Sequence, residues 1–165
     1  MESKRHLAGH LRNFIFGVED SLVSTVGLVS GIAAAGVSKP EIILTGTILI
    51  FVEAFSMGVG SFLSERSAEE FMKKEGMSAG YSLENGAIMF FSYFIAGFIP
   101  LIPYLLAEVS RALYLSIGMS LVFLFILGIV SAKIFGINII KSGIRMFFVG
   151  GIAVAIGVIV GRIIG

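Results

Sequence analysis

The chain has 165 residues, and its composition excludes an ordinary water-soluble domain. Hydrophobic residues make up 56% of it and charged residues only 14%, whereas soluble proteins carry about 25% charged residues. The net charge is only +1, so nucleic acid, which requires a clustered basic excess, is not an expected partner. The chain has no cysteine, which excludes disulfides and thiol nucleophiles. We therefore expect a membrane protein that is not an enzyme.

Five apolar segments are long enough to cross a bilayer as helices, which takes about 20 residues each. They are continuous and lack the alternation of barrel strands. The sequence predicts an all-α membrane protein with one domain over residues 1–165. The predicted spans cover about 13–36, 42–64, 86–107, 112–132 and 144–164. A charged continuation of the second helix is predicted to about residue 76. Pro100 and Pro103 are predicted to bend or end the third helix.

Lysine and arginine are unevenly divided between the two sets of loops, which predicts the orientation in the membrane. Three of them, Lys39, Arg111 and Arg162, lie on one side. The other nine are Lys4, Arg5, Arg12, Arg66, Lys73, Lys74, Lys133, Lys141 and Arg145. We expect the N-terminus in the cytoplasm and the C-terminus outside. Because the compact chain shows no targeting leader, we also expect a prokaryotic cell membrane, or an organelle membrane if the source is eukaryotic.

Three carboxylates, Glu19, Asp20 and Glu53, interrupt the apolar spans. Each would cost about 2.5–3.5 kcal/mol at mid-helix on insertion scales, so each requires a wet cavity, a partner or a proton. Asp20 and Glu53 are therefore predicted ligands of a transported cation. Glu19 points about 100° away from Asp20 on a helix and is expected either to join them or to pair with Arg12 or Arg145.

The depth of these residues predicts a common site. Asp20 and Met57 each lie eight residues from a charge at the predicted cytoplasmic face, which places both about 12 Å deep. Glu53 is one turn deeper, level with Ser24. Carboxylate oxygens together with a thioether favour a divalent transition metal over Mg²⁺ or Ca²⁺. The alternative for Met57 is apolar packing.

Small residues follow the same helical faces. Gly27 and Gly31 have the spacing that lets another helix approach closely, and Gly60 lies on the stripe of Glu53. We expect these glycines to serve helix packing or gating.

The charged continuation of the second helix contains candidate ligands for a second metal site. Glu65 and Glu69 share a face there and are candidates for metal capture in the cytosol. The alternative is a solvated helix face, because Glu69 and Lys73 form a favourable i, i+4 pair.

Four segments resemble signatures of the vacuolar iron transporter family. They are FGVEDSLVSTVGLVSG at residues 16–31, SMGVGSFLS at 56–64 followed by Ser67, IPLIPY at 99–104, and KSGIR at 141–145. They resemble the first helix, the second helix, the end of the third and the start of the fifth, in that order.

This resemblance implies a five-span protomer that forms a two-fold homodimer, with the ion path between first and second helices. It implies export of Fe²⁺, in many members also Mn²⁺, from the cytosol in exchange for protons, with the metal as cargo and no bound cofactor. Asp20 and Met57 match the family's pathway residues. The chain departs from the pattern at Ser21, usually glycine, and at Glu53, usually small. The cytoplasmic metal-binding insertion is reduced or absent.

Two other functions are compatible with the residues. A proton-coupled exporter of small organic cations or drugs would also use an intramembrane carboxylate. A non-transporting membrane scaffold is the third possibility, and it predicts that Asp20 and Glu53 tolerate apolar replacement. An enzyme is disfavoured because the only histidines are His6 and His10 in the N-terminal arm, and no serine has an evident base partner.

Overall fold

The computed structural model describes residues 2–71 and 79–165, and over these ranges the chain forms five helices and no strand. The helices are α1 (Glu2–Ala34), α2 (Lys39–Phe71), α3 (Ala79–Leu106), α4 (Val109–Phe135) and α5 (Ile139–Ile164). Each contains an apolar stretch long enough to cross a membrane. The predicted all-α fold with five membrane-length helices is confirmed.

The helices are longer than the predicted spans. α1 begins at Glu2 rather than near residue 13, and α3 begins at Ala79 rather than near residue 86. Hydropathy marks only the apolar part of a helix, whereas backbone hydrogen bonds continue into the polar flanks. With 33 residues, α1 is about 50 Å long and exceeds the ~30 Å hydrocarbon core. α2 continues to Phe71, and the rest of its predicted extension lies outside the described residues.

Short turns with specific capping residues connect the helices. Gly36 ends α1 with a φ of 80°, and Gly136 ends α4 with a φ of 68°, a conformation that glycine adopts without strain. Before α2, the Ser38 backbone N–H and hydroxyl donate to a Glu41 carboxylate oxygen at 3.2 and 2.6 Å. The Asn138 side chain accepts a backbone N–H from the first turn of α5 at 3.0 Å.

Consecutive helices run in opposite directions, so α1, α3 and α5 are parallel. Asn13 near the start of α1 donates to Asn85 near the start of α3 at 2.8 Å, whereas Ser21 donates to the Tyr93 carbonyl further along at 2.6 Å. The bundle end at which α1 begins is called the N-side here, and the opposite end the C-side. An odd number of alternating helices places the two ends of the chain on opposite sides.

Helix α3 packs extensively on both α1 and α2, whereas α1 and α2 contact each other much less. It continues through Pro100 and Pro103 to Leu106. The carbonyl of Pro100 accepts a hydrogen bond from the Ser116 hydroxyl of α4 at 2.7 Å, so a neighbouring helix binds the backbone at this point. One side of the α1–α2 pair is therefore closed by α3, and the other side is open.

The N-side part of α1 packs on the start of α3 through polar and aromatic side chains. The rings of His6 and Tyr81 stack with centroids 4.3 Å apart, and His10 Nε2 lies 3.3 Å from a Glu84 carboxylate oxygen. Both histidines thus have structural neighbours on α3.

Candidate functional site

Asp20 on α1 and Glu53 on α2 are brought together in the membrane-spanning part of the bundle. Both residues are half-buried, and the Glu53 carboxylate is near enough to act electrostatically on that of Asp20. Two acidic groups that repel each other at a half-buried position favour the binding of a cation between them. In the part of the chain that the structure describes, however, no three histidine, aspartate or glutamate side chains come together to hold a metal ion.

Tyr93 on α3 is a candidate site residue that the sequence did not predict. Its side chain is fully buried, and its hydroxyl lies 2.7 Å from the Ser24 hydroxyl of α1. Both Asp20 and Glu53 act electrostatically on this phenol group. Tyr93 therefore lies within electrostatic reach of the two carboxylates, and its hydroxyl forms a hydrogen bond with that of Ser24. The available signal was a tyrosine in the middle of an apolar span, since a buried tyrosine hydroxyl usually has a partner.

Replacing Tyr93 by phenylalanine is expected to lower metal flux through reconstituted protein by about tenfold, because the Ser24 hydroxyl loses its 2.7 Å contact and keeps only the 3.4 Å bond to the Ser21 carbonyl. The cost in stability is expected to stay near 1 kcal/mol, the net value of one hydrogen bond. Flux into proteoliposomes and thermal unfolding measure the two effects. Tyr104→Phe is the matched control, since Tyr104 is equally buried on α3 but its hydroxyl meets the Val29 carbonyl at 3.4 Å. Equal flux in the two variants would contradict a positioning role for Tyr93.

Met57 lies in a separate groove on the N-side of the carboxylate pair. The groove has a volume of about 470 Å³, and Asp20 and Glu53 do not line it. It is lined by Arg12, Asn13, Phe16, Ser56, Met57, Gly60, Ser61, Ser64, Glu65 and Met89. The structure therefore associates Asp20 with Glu53, and Met57 with residues one to two turns closer to the start of α1. The Arg12–Glu65 contact at 3.7 Å agrees with a common level for Asp20 and Met57, which each lie eight residues further along antiparallel helices, and their joint role as ligands stays a prediction.

The mouth of this groove carries an ion pair. Arg12 of α1 lies 3.7 Å from Glu65 of α2, and the Glu65 side chain is 23% exposed. Glu65 therefore shares a polar groove with Met57, while its charge is balanced by a basic residue.

Two other predicted metal ligands have polar or basic neighbours of their own. Glu69 is buried between α2 and α3, where the Ser82 hydroxyl donates to it at 2.9 Å and Arg66 lies 3.9 Å away. A carboxylate held in this way joins two helices and is not open to the cytosol, so its predicted capture role does not fit its position. The alternative partner Lys73 lies outside the described residues. Glu19 has Arg145 of α5 as its basic neighbour, one of the two that the sequence suggested.

The predicted glycines divide into two groups. Gly27 and Gly31 face α5, where a Cβ on Gly31 would lie 2.7 Å from the Gly157 carbonyl oxygen. These two glycines thus form a close helix contact within one chain, as their spacing predicts. Gly60 differs, because a Cβ there would meet nothing within 4 Å. It lines the Met57 groove, and its predicted packing role is not seen within the chain.

Comparison with known proteins identifies the family. The model of the VIT family matches residues 11–85 and 74–162, which together cover nearly the whole chain. The chain belongs to the VIT family. Its five membrane-length helices and this membership make it an integral membrane protein.

Relatives of this VIT family member differ in how much of the chain they match. An uncharacterised protein of Methanocaldococcus jannaschii is 30% identical over 88% of this chain and 84% of its own length. Vacuolar iron transporter 1 of Arabidopsis thaliana is 24% identical over 92% of this chain and 85% of its own. The vacuolar iron transporter of Plasmodium berghei is 30% identical, but over only 46% of this chain and 28% of its own length.

Proposed function

We propose that the protein is a transmembrane transporter that exports a divalent transition metal, Fe²⁺ and also Mn²⁺, from the cytosol in exchange for protons. The observation that carries the proposal is the pairing of Asp20 and Glu53 inside the membrane-spanning helices. Two carboxylates in such a place are costly unless a cation or proton binds them. The names of the relatives, vacuolar iron transporters, support iron as the cargo.

The transported ion binds between two copies of the chain in this proposal. One chain supplies only Asp20 and Glu53, whereas two copies facing each other across a two-fold axis would supply four carboxylates around one path. The side of α1 and α2 that α3 leaves open is available for this contact. On α2 the face of Glu53 carries Ser56, Gly60 and Ser64, which are exposed in the single chain. A homodimer would bury this surface and complete the site.

Proton exchange follows from the chemistry of the ligands. A metal ion binds a carboxylate only after the proton has left, so proton and metal exclude each other at Asp20 and Glu53. If the site opens alternately to the two sides, metal leaving the cytosol is replaced by protons entering it. The excess of lysine and arginine on the N-side supports a cytoplasmic N-terminus, with the Met57 groove as the cytosolic entrance.

The test is flux in proteoliposomes containing the full chain. Fe²⁺ kept reduced by ascorbate should enter vesicles with an inside-acid pH gradient, and a pH-sensitive dye should report proton release at the same rate. Inhibition by drug cations without any metal flux would instead favour the organic-cation exporter. Absence of both fluxes from well-folded dimers would contradict the proposal.

Met57 is expected to tune selectivity through its thioether. Met57→Leu keeps the side chain's size but removes the sulfur, so the apparent affinity for Fe²⁺ should fall about tenfold, equal to about 1.4 kcal/mol. Affinity for a hard competitor such as Mg²⁺ should not change. Competition assays on the proteoliposome flux measure both values. Met146→Leu is the control, since Met146 lies in the core cluster formed by α1, α3, α4 and α5. An unaltered Fe²⁺ affinity in Met57→Leu would assign Met57 to packing.

A further inference from the structure

An apolar groove lies between α4 and α5, on the outside of the bundle and away from the carboxylate pair. Its volume is about 470 Å³, and every lining residue is hydrophobic: Val122, Phe125, Ile144, Phe147 and Phe148. Four of the five are exposed in the chain, and the ring of Phe125 packs on Gly143 at its floor. In a membrane this groove opens to the hydrocarbon of the N-side leaflet.

Two lysines lie at the N-side mouth of the groove. Lys133 is eight residues after Phe125 on α4, and Lys141 is seven residues before Phe148 on α5, so helical spacing places each lysine on the face that lines the groove. At 1.5 Å per residue, both lie about 10–12 Å beyond these phenylalanines, towards the N-side. An acyl chain in the groove would therefore have its headgroup phosphate on the side of the two lysines.

The charge of these lysines is uncompensated. The sequence contains no aspartate or glutamate after Glu108, so α4 and α5 carry no acidic residue. Other basic residues of the N-side have acidic neighbours: Arg12 lies 3.7 Å from Glu65, and Arg145 acts electrostatically on Glu19. Within residues 2–71 and 79–165, neither Lys133 nor Lys141 forms an ion pair. A lysine near an anionic membrane surface favours binding by about fivefold.

We propose that this groove binds an anionic phospholipid of the N-side leaflet, with one acyl chain along α4 and α5 and the phosphate between Lys133 and Lys141. The proposal is independent of the transported ion. A second copy of the chain is a poorer occupant, because a two-fold contact at this face would bring four lysines together with no acidic residue from α4 or α5.

The lipid site is tested by native mass spectrometry of the full chain released from detergent. With phosphatidylglycerol and phosphatidylcholine at equal concentrations, the wild type should retain phosphatidylglycerol with a preference on the order of tenfold. The double variant Lys133→Gln, Lys141→Gln should lose this preference. Arg111→Gln, Arg162→Gln is the matched control, since it removes two charges from the C-side ends of the same helices.

A third variant tests the contribution of the apolar groove to lipid binding separately from that of the lysine charges. Ile144→Trp fills the groove and should reduce retention of both lipids, while the thermal unfolding temperature stays close to that of the wild type. Equal retention of the two lipids by the wild type would overturn the proposal, and so would equal losses in the two double variants. Loss of the dimer in Ile144→Trp, with only monomer detected, would make a second copy the occupant and would also overturn it.

Discussion

Metal flux through the Asp20→Asn variant is expected to fall to the level of empty liposomes. Asparagine keeps the shape of the side chain, but it removes the negative charge that stands beside Glu53 and the group that exchanges a proton for the metal. Glu53→Gln should also reduce flux strongly, because the half-buried pair then carries one charge instead of two. Fe²⁺ entry and proton release, recorded together in proteoliposomes, measure both variants.

Glu108→Gln is the control for this experiment. Glu108 precedes α4, is exposed, and its side chain makes no capping hydrogen bond. This variant should transport as the wild type does. Wild-type flux in Asp20→Asn would contradict the assignment of Asp20 as a ligand, and tolerance of Asp20→Ala and Glu53→Ala together would favour a scaffold.

The second large effect is expected from Gly157→Ala on α5. A Cβ at this position collides with the Gly27 carbonyl oxygen, and backbone atoms cannot move aside as the end of a flexible side chain can. The parallel helices α1 and α5 would have to separate, at a cost of about 1–3 kcal/mol or more, as for other overpacked contacts. The thermal unfolding temperature of the detergent-solubilised protein should fall by several degrees.

Gly151→Ala provides a matched comparison on the same helix, because a Cβ on Gly151 meets nothing within 4 Å. It should leave the unfolding temperature unchanged or raise it slightly, since alanine favours a helix by up to about 1 kcal/mol relative to glycine. Equal unfolding temperatures for the two variants would show that the close contact of α1 and α5 is not tight in solution.

Hydropathy predicted the number of helices and that each is long enough to span a membrane, because a continuous apolar run of about 20 residues forms few structures other than a membrane-spanning helix. Hydropathy predicted the ends of the helices less accurately. Glu2 begins α1 eleven residues before the predicted span, since a helix continues wherever its backbone hydrogen bonds are made, whether or not its side chains are apolar. The close approach of Gly27 and Gly31 to another helix followed from their spacing, although the partner, α5, did not.

The sequence predicted only part of the candidate site. Spacing along one helix gives depth but not the order of helices around the bundle, so it did not place α3 between α1 and α2. For this reason the sequence did not predict a role for Tyr93 of α3. The charge of Glu69 indicated an exposed side chain. In the structure the Ser82 hydroxyl of α3 donates a hydrogen bond that stabilises the buried carboxylate. The ligand roles of Asp20, Glu53 and Met57 remain predictions.

Anomalous diffraction from crystals soaked in Mn²⁺ tests the metal site most directly. The proposal predicts a peak within bonding distance of the Asp20 and Glu53 carboxylates, on or near a two-fold axis between two chains, and its loss in crystals of Asp20→Asn. Ordered Mn²⁺ only at exposed carboxylates such as Glu84, with none near Asp20 at saturating concentration, would contradict it.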